Sequence, residues 1–430
     1  MITRSEGSAP GCRTGHEPTP SFYTRWECLN DWLASHAGFW RPAPFKTPSP
    51  QWEGRSPGLV RWLDALDPAA LDYFDRHPAE LASRIAHWVP GMADYPALTD
   101  LSAISPPEAA VARVTLDEVD ATDMPGRKRA QAGAFAAAIL PLNGPVLDWC
   151  CGKGHLTRTL ARQCTAPVNG FEWDAALVED GNRLAARFSD RLTIHCQDVM
   201  APELRWPDVA HGVALHACGD LHRRLIAKGS DSQAPRISFS PCCYHRTVSD
   251  AYHPMATRVR SAVNALVLSR EELRLAVQET VTAPARVRAQ RVRVRQWRLG
   301  FDALQRALRG VDDYLPVPSH PSRLNHGDFE GFCQWAAAKK GLPLPDSLDW
   351  VHWRREGERR HRQVQRHELL RHLFRRPLEL WLVLDYAVFL EEQGYEVRLG
   401  TFCERALTPR NLLVDAVRVS DTPRDPRSHP

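Results

Sequence analysis

Apolar residues recur along this chain with two periods, and the switches between them mark out its parts. Residues 21–119 read as helical but are interrupted by prolines, with tryptophans at Trp26, Trp32, Trp40, Trp52, Trp62 and Trp88. Large aromatics spread this way anchor a small helical unit or a lid. A helical pattern at about 127–139 leads into the apolar run Val146-Leu147-Asp148, a glycine-bearing turn and a second helical stretch at 156–163. Short strand-like runs follow at 168–172, 192–195, 212–216 and 236–240, with helical patterns between the first of them. Strands alternating with helices predict an α/β fold with a mainly parallel, doubly wound sheet.

The C-terminal part continues the theme. A helix is expected at 376–393, then Gly394, a strand at 396–403, a turn at Thr408-Pro409-Arg410 and a last strand at 411–417. About 155 residues lie between the fifth strand and the sixth, where one helix would suffice, so 275–375 reads as a helical insertion before a terminal hairpin. The expected division is a disordered tail (1–20), a tryptophan-rich helical unit (21–120), a core (121–274), the insertion (275–375) and a closing helix and hairpin (376–420).

Composition changes this picture little. With 43% hydrophobic and 25% charged residues, the 430-residue chain is ordinary for a globular protein and long enough for more than one core. A net charge of +4 does not by itself call for nucleic acid. Six lysines among 55 basic residues leave the rest arginine, which a GC-rich genome explains and which also suits phosphate. The eleven cysteines form no Cys-x-x-Cys pair, and no apolar run approaches the roughly 20 residues of a membrane span. With no apolar leader at the N-terminus, a reducing, cytoplasmic location is expected, with no membrane partner.

The chemistry concentrates at Asp148-Trp149-Cys150-Cys151-Gly152-Lys153-Gly154-His155-Leu156. In open α/β sheets ligands bind at the carboxyl ends of the strands, near the point where strand order reverses. Gly152 and Gly154 let the backbone pass close to a cofactor, and the following helix offers N–H groups to a carboxylate. Asp148 is placed to hold the loop or meet an amino group. Twenty residues beyond Gly152, Glu172 ends the second strand, where a carboxylate accepts ribose hydroxyls. Asp198 follows the third strand, where adenine would lie. A nicotinamide cofactor fits less well, because Thr157 stands where its fingerprint needs a third glycine.

Three segments now resemble a known family: Asp148-x-Cys-Cys-Gly-Lys-Gly-His-Leu156, Leu215-His216-Ala217-Cys218-Gly219-Asp220-Leu221 and Pro241-Cys242-Cys243-Tyr244-His245. In this order they are similar to a methyltransferase-domain family, and Leu407-Thr408-Pro409-Arg410-Asn411-Leu412-Leu413 resembles its last hairpin. The resemblance covers about 127–270 and 396–418. It implies a Rossmann-like sheet and S-adenosyl-L-methionine as cofactor, held by Asp148, Cys150, Cys151, Gly152, Gly154, His155, Leu156, Glu172, Asp198 and His216. Cys150 departs from the usual loop of this enzyme class, which has a glycine there.

Methyl transfer needs positioning above all, and a base only where the acceptor must lose a proton. His216 and Asp220 are the expected positioning or proton-accepting residues, and Tyr244 and His245 the expected substrate contacts. A metal site from Cys151, Cys218, Cys242 and His245 matches no standard zinc spacing, so none is expected. A cysteine nucleophile would be Cys242 or Cys243. In the insertion, Arg286, Arg288, Arg291, Arg293, Arg295 and Arg298 fall within thirteen residues, and Arg288, Arg291, Arg295 and Arg298 share one helical face. Such a face suits phosphate, so structured RNA, perhaps tRNA, is the expected substrate. The rival readings are transfer to a small molecule or protein side chain, and a cofactor-binding scaffold without catalysis.

Overall fold

The computed structural model describes residues 20–278, 285–319, 321 and 327–419; the expected tail at 1–20 lies outside them but for its last residue. Seven strands form one sheet: β1 (Val146–Trp149), β2 (Val168–Glu172), β3 (Leu192–Cys196), β4 (His211–Cys218), β5 (Arg236–Cys242), β6 (Tyr395–Thr401) and β7 (Leu412–Arg418). Their order is β3-β2-β1-β4-β5-β7-β6, parallel except for β7, which runs antiparallel to both neighbours. The doubly wound α/β expectation holds, including the closing hairpin. Strand order reverses between β1 and β4, and in open α/β sheets the carboxyl ends of the strands at such a point are where ligands bind. All four residues of β1 are buried, as a central parallel strand covered on both faces requires.

The principal helices are α1 (Phe22–Ser35), α2 (Gly126–Ala138), α3 (His155–Ala161), α4 (Ala175–Arg187), α5 (Asp220–Asp231), α6 (Ala285–Arg309), α7 (Phe329–Lys340), α8 (Trp350–Leu373) and α9 (Arg375–Glu392). Short helices fill most of the stretch between Gln51 and Val114. Trp26, Trp32, Trp40 and Trp52 are buried in a hydrophobic core shared with α9 and one face of the sheet. α9 is apolar nearly all round, and it lies between α1 and the sheet accordingly. Its buried Asp385 accepts from Tyr252 Oη at 2.6 Å and from the N–H groups of Met255 and Ala256 at 2.8 and 2.9 Å. That carboxylate fastens the loop after β5 to the core.

Between β5 and β6, α6, α7 and the start of α8 build a small core around Trp297, Phe301, Phe329 and Phe332. α6 and α8 cross with their backbones touching: a Cβ on Gly357 would lie 2.3 Å from Gln296 O and 2.8 Å from Gly300 N. Beside this crossing the buried Asp302 accepts from Arg306 at 3.0 Å and Arg360 at 2.6 Å. Gly357→Ala is therefore expected to destabilise the packing of α6 on α8 by about 1–3 kcal/mol, the usual cost of forcing extra volume into a packed contact. Hydrogen exchange should speed up in α6 and α8 while the sheet stays protected; unchanged exchange there would refute the crossing. Among the described residues, no helix is long and apolar enough to cross a membrane.

Candidate functional site

The turn after β1 is built from left-handed residues: Cys150 at φ 58°, Gly152 at φ 58° and Gly154 at φ 71°. A Cβ on Gly152 would meet nothing within 4 Å, so the turn faces open space there. Gly154 is glycine for packing as well, since a Cβ would press on Ile194 Cδ1 at 2.6 Å. Glu172 is tucked against the turn: Oε2 accepts from Gly152 N at 2.9 Å, and Oε1 from Trp173 N and Asp174 N at 3.0 and 3.1 Å. It shapes the loop and keeps one lone pair on Oε2 for a further donor. Beside it stands Trp173, 75% exposed, an aromatic face that the sequence reading did not single out. Asp198 is exposed and caps the turn after β3, accepting from Met200 N at 2.8 Å.

Asp148 pairs across the sheet with Gly170 and Val213, on the strand beside which the strand order reverses. Its carboxyl accepts from Thr157 Oγ1 at 2.7 Å, yet burial pushes its pKa up to about 7. A group so placed is stabilised as a carboxylate by a cation. Nearby, His155 Nδ1 is buried with no partner, and burial holds that ring down to about 4, so it is neutral at physiological pH. The side chain of Leu156 is packed into the core behind the sheet. Burial also raises both the Cys150 and Cys151 thiols, which stay protonated.

The second half of the site lies at the ends of β4 and β5. Register shifts between Leu215↔Ser240 and Cys218↔Cys242, so β4 carries one extra residue, and His216 stands in this bulge at φ 64°. Bulges of this kind re-aim side chains near active sites. Gln131 Nε2 donates to Leu407 O at 3.0 Å, which turns its Oε1 toward His216 Nε2 at 3.2 Å. His216 thereby donates through Nε2 and keeps Nδ1 as an acceptor. Burial, aided by Arg410, lowers its pKa to about 4. Gln131 was missed in the sequence because it sits in an alanine-rich stretch 85 residues away.

The other expected catalytic residues are placed differently. Asp220 opens α5, and its Oδ2 accepts from Val248 N at 2.9 Å while its own N–H donates to Arg246 O at 3.0 Å. It pins the 243–248 loop rather than standing free at the strand ends. Tyr244 is buried and turns its hydroxyl to Glu379 at 3.5 Å in the core, so it does not face an open edge. His245 is half-buried, with an unpartnered Nδ1. Between these residues Cys218, Cys242 and Cys243 bring three sulfurs together. Cys151 and His245, weighed earlier as ligands, are not in that group.

The arginine face of α6 is partly consumed within the fold. Arg295 pairs with Glu368 at 2.5 Å, and Arg298 donates to the carbonyls of Val317 and Pro318 at 2.9 and 2.6 Å. Arg286 and Arg291 are exposed; the side chain of Arg288 lies outside the described residues. α8 adds the exposed Arg354, Arg355 and Arg362. Separately, a cavity of about 360 Å³ opens between the N-terminal helices, α8, α9 and the β6–β7 turn, lined among others by Arg375, Arg376, Arg405 and Arg410. Arg410 links it to the β4–β5 edge, since its charge acts on both His216 and Cys243.

Residues 142–249, about a quarter of the chain, match the sequence profile of a family described as a methyltransferase domain. No curated protein matches the chain. Among solved structures, a geranyl diphosphate methyltransferase with sinefungin bound is 22% identical over 26% of this chain and 44% of its own, with a TM-score of 0.24. A tRNA (uracil-54, C5)-methyltransferase of Pyrococcus abyssi is 19% identical over 26% and 29%, with a TM-score of 0.23. A putative RNA methyltransferase of Pyrococcus horikoshii is 13% identical over 39% and 73%, with a TM-score of 0.23. The chain thus spans less than half the length of the first two.

Proposed function

We propose, from the premise that residues 142–249 are a methyltransferase domain, that this enzyme transfers a methyl group from S-adenosylmethionine to a structured RNA. One observation carries the cofactor assignment: a buried carboxylate with a raised pKa, Asp148, lies beneath a left-handed turn that faces open space. S-adenosylmethionine supplies an electrophilic methyl group on a sulfonium. In this reading Asp148 pairs with the amino group, Glu172 Oε2 accepts a ribose hydroxyl, and Trp173 and Asp198 frame the base. The neutral His216 offers Nδ1 to the acceptor's proton, and Gln131 holds its ring in the tautomer that does so. Positioning of this sort supplies most of what methyl transfer requires.

The RNA assignment rests on the exposed Arg286 and Arg291 of α6, a helix whose sequence holds eight arginines and one acid, and on the exposed arginines of α8. Replacing Arg286, Arg291 and Arg362 together by alanine is expected to weaken RNA binding and lower the slope of log K against log salt by roughly 2–3, at about 0.7–0.9 per phosphate contact. An unchanged slope would remove these residues from the interface. The arginine-lined cavity favours a second reading, an anionic small-molecule acceptor. Tritiated methyl transfer into fractionated lysate of cells lacking this gene separates the two. Label in RNA supports the first reading, and label in the small-molecule fraction replaces it with the second. Absence of label with cofactor binding intact would leave a scaffold.

A further inference from the structure

The β4 bulge makes Cys218 the direct neighbour of Cys242 across the sheet, with their sulfurs 3.5 Å apart. Residues adjacent in a strand ordinarily point to opposite faces, which would carry Cys243 away from Cys242. Instead Cys243 adopts φ 47°, a conformation unfavourable for any residue but glycine, and the three sulfurs lie within 4.8 Å of one another. Two left-handed non-glycine residues, His216 and Cys243, thus flank one cluster of thiols.

We propose that Cys218, Cys242 and Cys243 form a three-thiolate site for one zinc-class divalent cation, with a fourth coordination position left open. Tetrahedral zinc holds thiolates at about 2.3 Å, which sets the sulfurs roughly 3.8 Å apart, against 3.5 Å for Cys218 and Cys242 and no more than 4.8 Å for the other pairs. Binding replaces three S–H bonds by three metal–sulfur bonds and releases three protons to solvent. The resulting charge of −1 is offset by Arg246 and Arg410, whose charges act on Cys218 and Cys243. Sites with three protein ligands keep the fourth for water or substrate. The metal assignment itself stands whether or not the transferase reading does.

The test is metal content of the full chain, purified from zinc-supplemented cells without chelator and measured by elemental mass spectrometry, followed by cobalt titration of the stripped protein. One zinc per chain and an intense sulfur-to-cobalt charge-transfer band are expected. Cys218→Ser and Cys243→Ser should each weaken zinc binding by more than the roughly 10–100-fold that losing an outer partner costs, while Cys196→Ser, an exposed control, keeps it. Should Cys218→Ser fail to fold, judged by circular dichroism, the half-buried Cys243→Ser decides alone. No zinc and no cobalt band would overturn the proposal. So would zinc retained by Cys243→Ser, since the ion would then be held elsewhere.

Discussion

Gly219→Ala is expected to lower methyl transfer by roughly 100-fold or more, the scale that misplacing a reacting geometry by about 1 Å produces, with cofactor affinity changed far less. Gly219 follows β4 at φ 55° and ψ −121°, a region closed to residues with a side chain. A Cβ there would sit 1.8 Å from Arg246 O, a backbone atom that cannot swing aside. Gly219 N donates to Cys242 O at 3.1 Å, and Asp220 clasps the same loop at Arg246 and Val248. The added methyl group therefore pushes the 243–248 loop off the end of β4, opening the edge that carries His216 and the three thiols. Single-turnover transfer and calorimetric cofactor binding read the two effects separately. Transfer within tenfold of the unchanged enzyme would show that this clasp is dispensable.

Asp148→Asn is expected to fold yet lose cofactor affinity by about 2–5 kcal/mol, the usual consequence of removing one member of a buried charge pair. Asparagine keeps the shape and the acceptor that Thr157 needs. The sign of the pH effect follows from the raised pKa. Between the ordinary value of 3.8 and about 7, the folded protein keeps a proton that the unfolded chain has lost. Stability of the cofactor-free protein is therefore highest below this window and falls as pH rises through it. Asp148→Asn removes that slope. Affinity for a cationic ammonium runs the other way, because binding needs the carboxylate: it is expected to fall about tenfold per pH unit below 7 and to level off above. Equal slopes in both proteins would assign the pH dependence to another group.

What was legible in the sequence is what local chemistry decides. The Val146-Leu147-Asp148 run, the glycines after it and the run ending in Glu172 announce a strand, a turn and a second strand within thirty residues. The 394–418 hairpin is equally local. What was not legible depends on partners far along the chain. Helical period correctly put Arg295 and Arg298 on one face, but it could not show Glu368 or the carbonyls of Val317 and Pro318 coming to meet them. Asp220 has a catalytic residue's composition and spacing, and only the folded loop reveals that its carboxyl holds Val248. Tyr244 lies in the right motif, but burial against α9 turns it inward. The cysteine cluster depends on one extra residue in β4, a register detail that no periodicity encodes.

Whether the turn above Asp148 binds S-adenosylmethionine is tested most directly by isothermal titration calorimetry at pH 8. Binding of one S-adenosylmethionine per chain, lost in folded Asp148→Asn, is the predicted result. No heat from the folded wild-type chain, or equal affinity in both proteins, would contradict it.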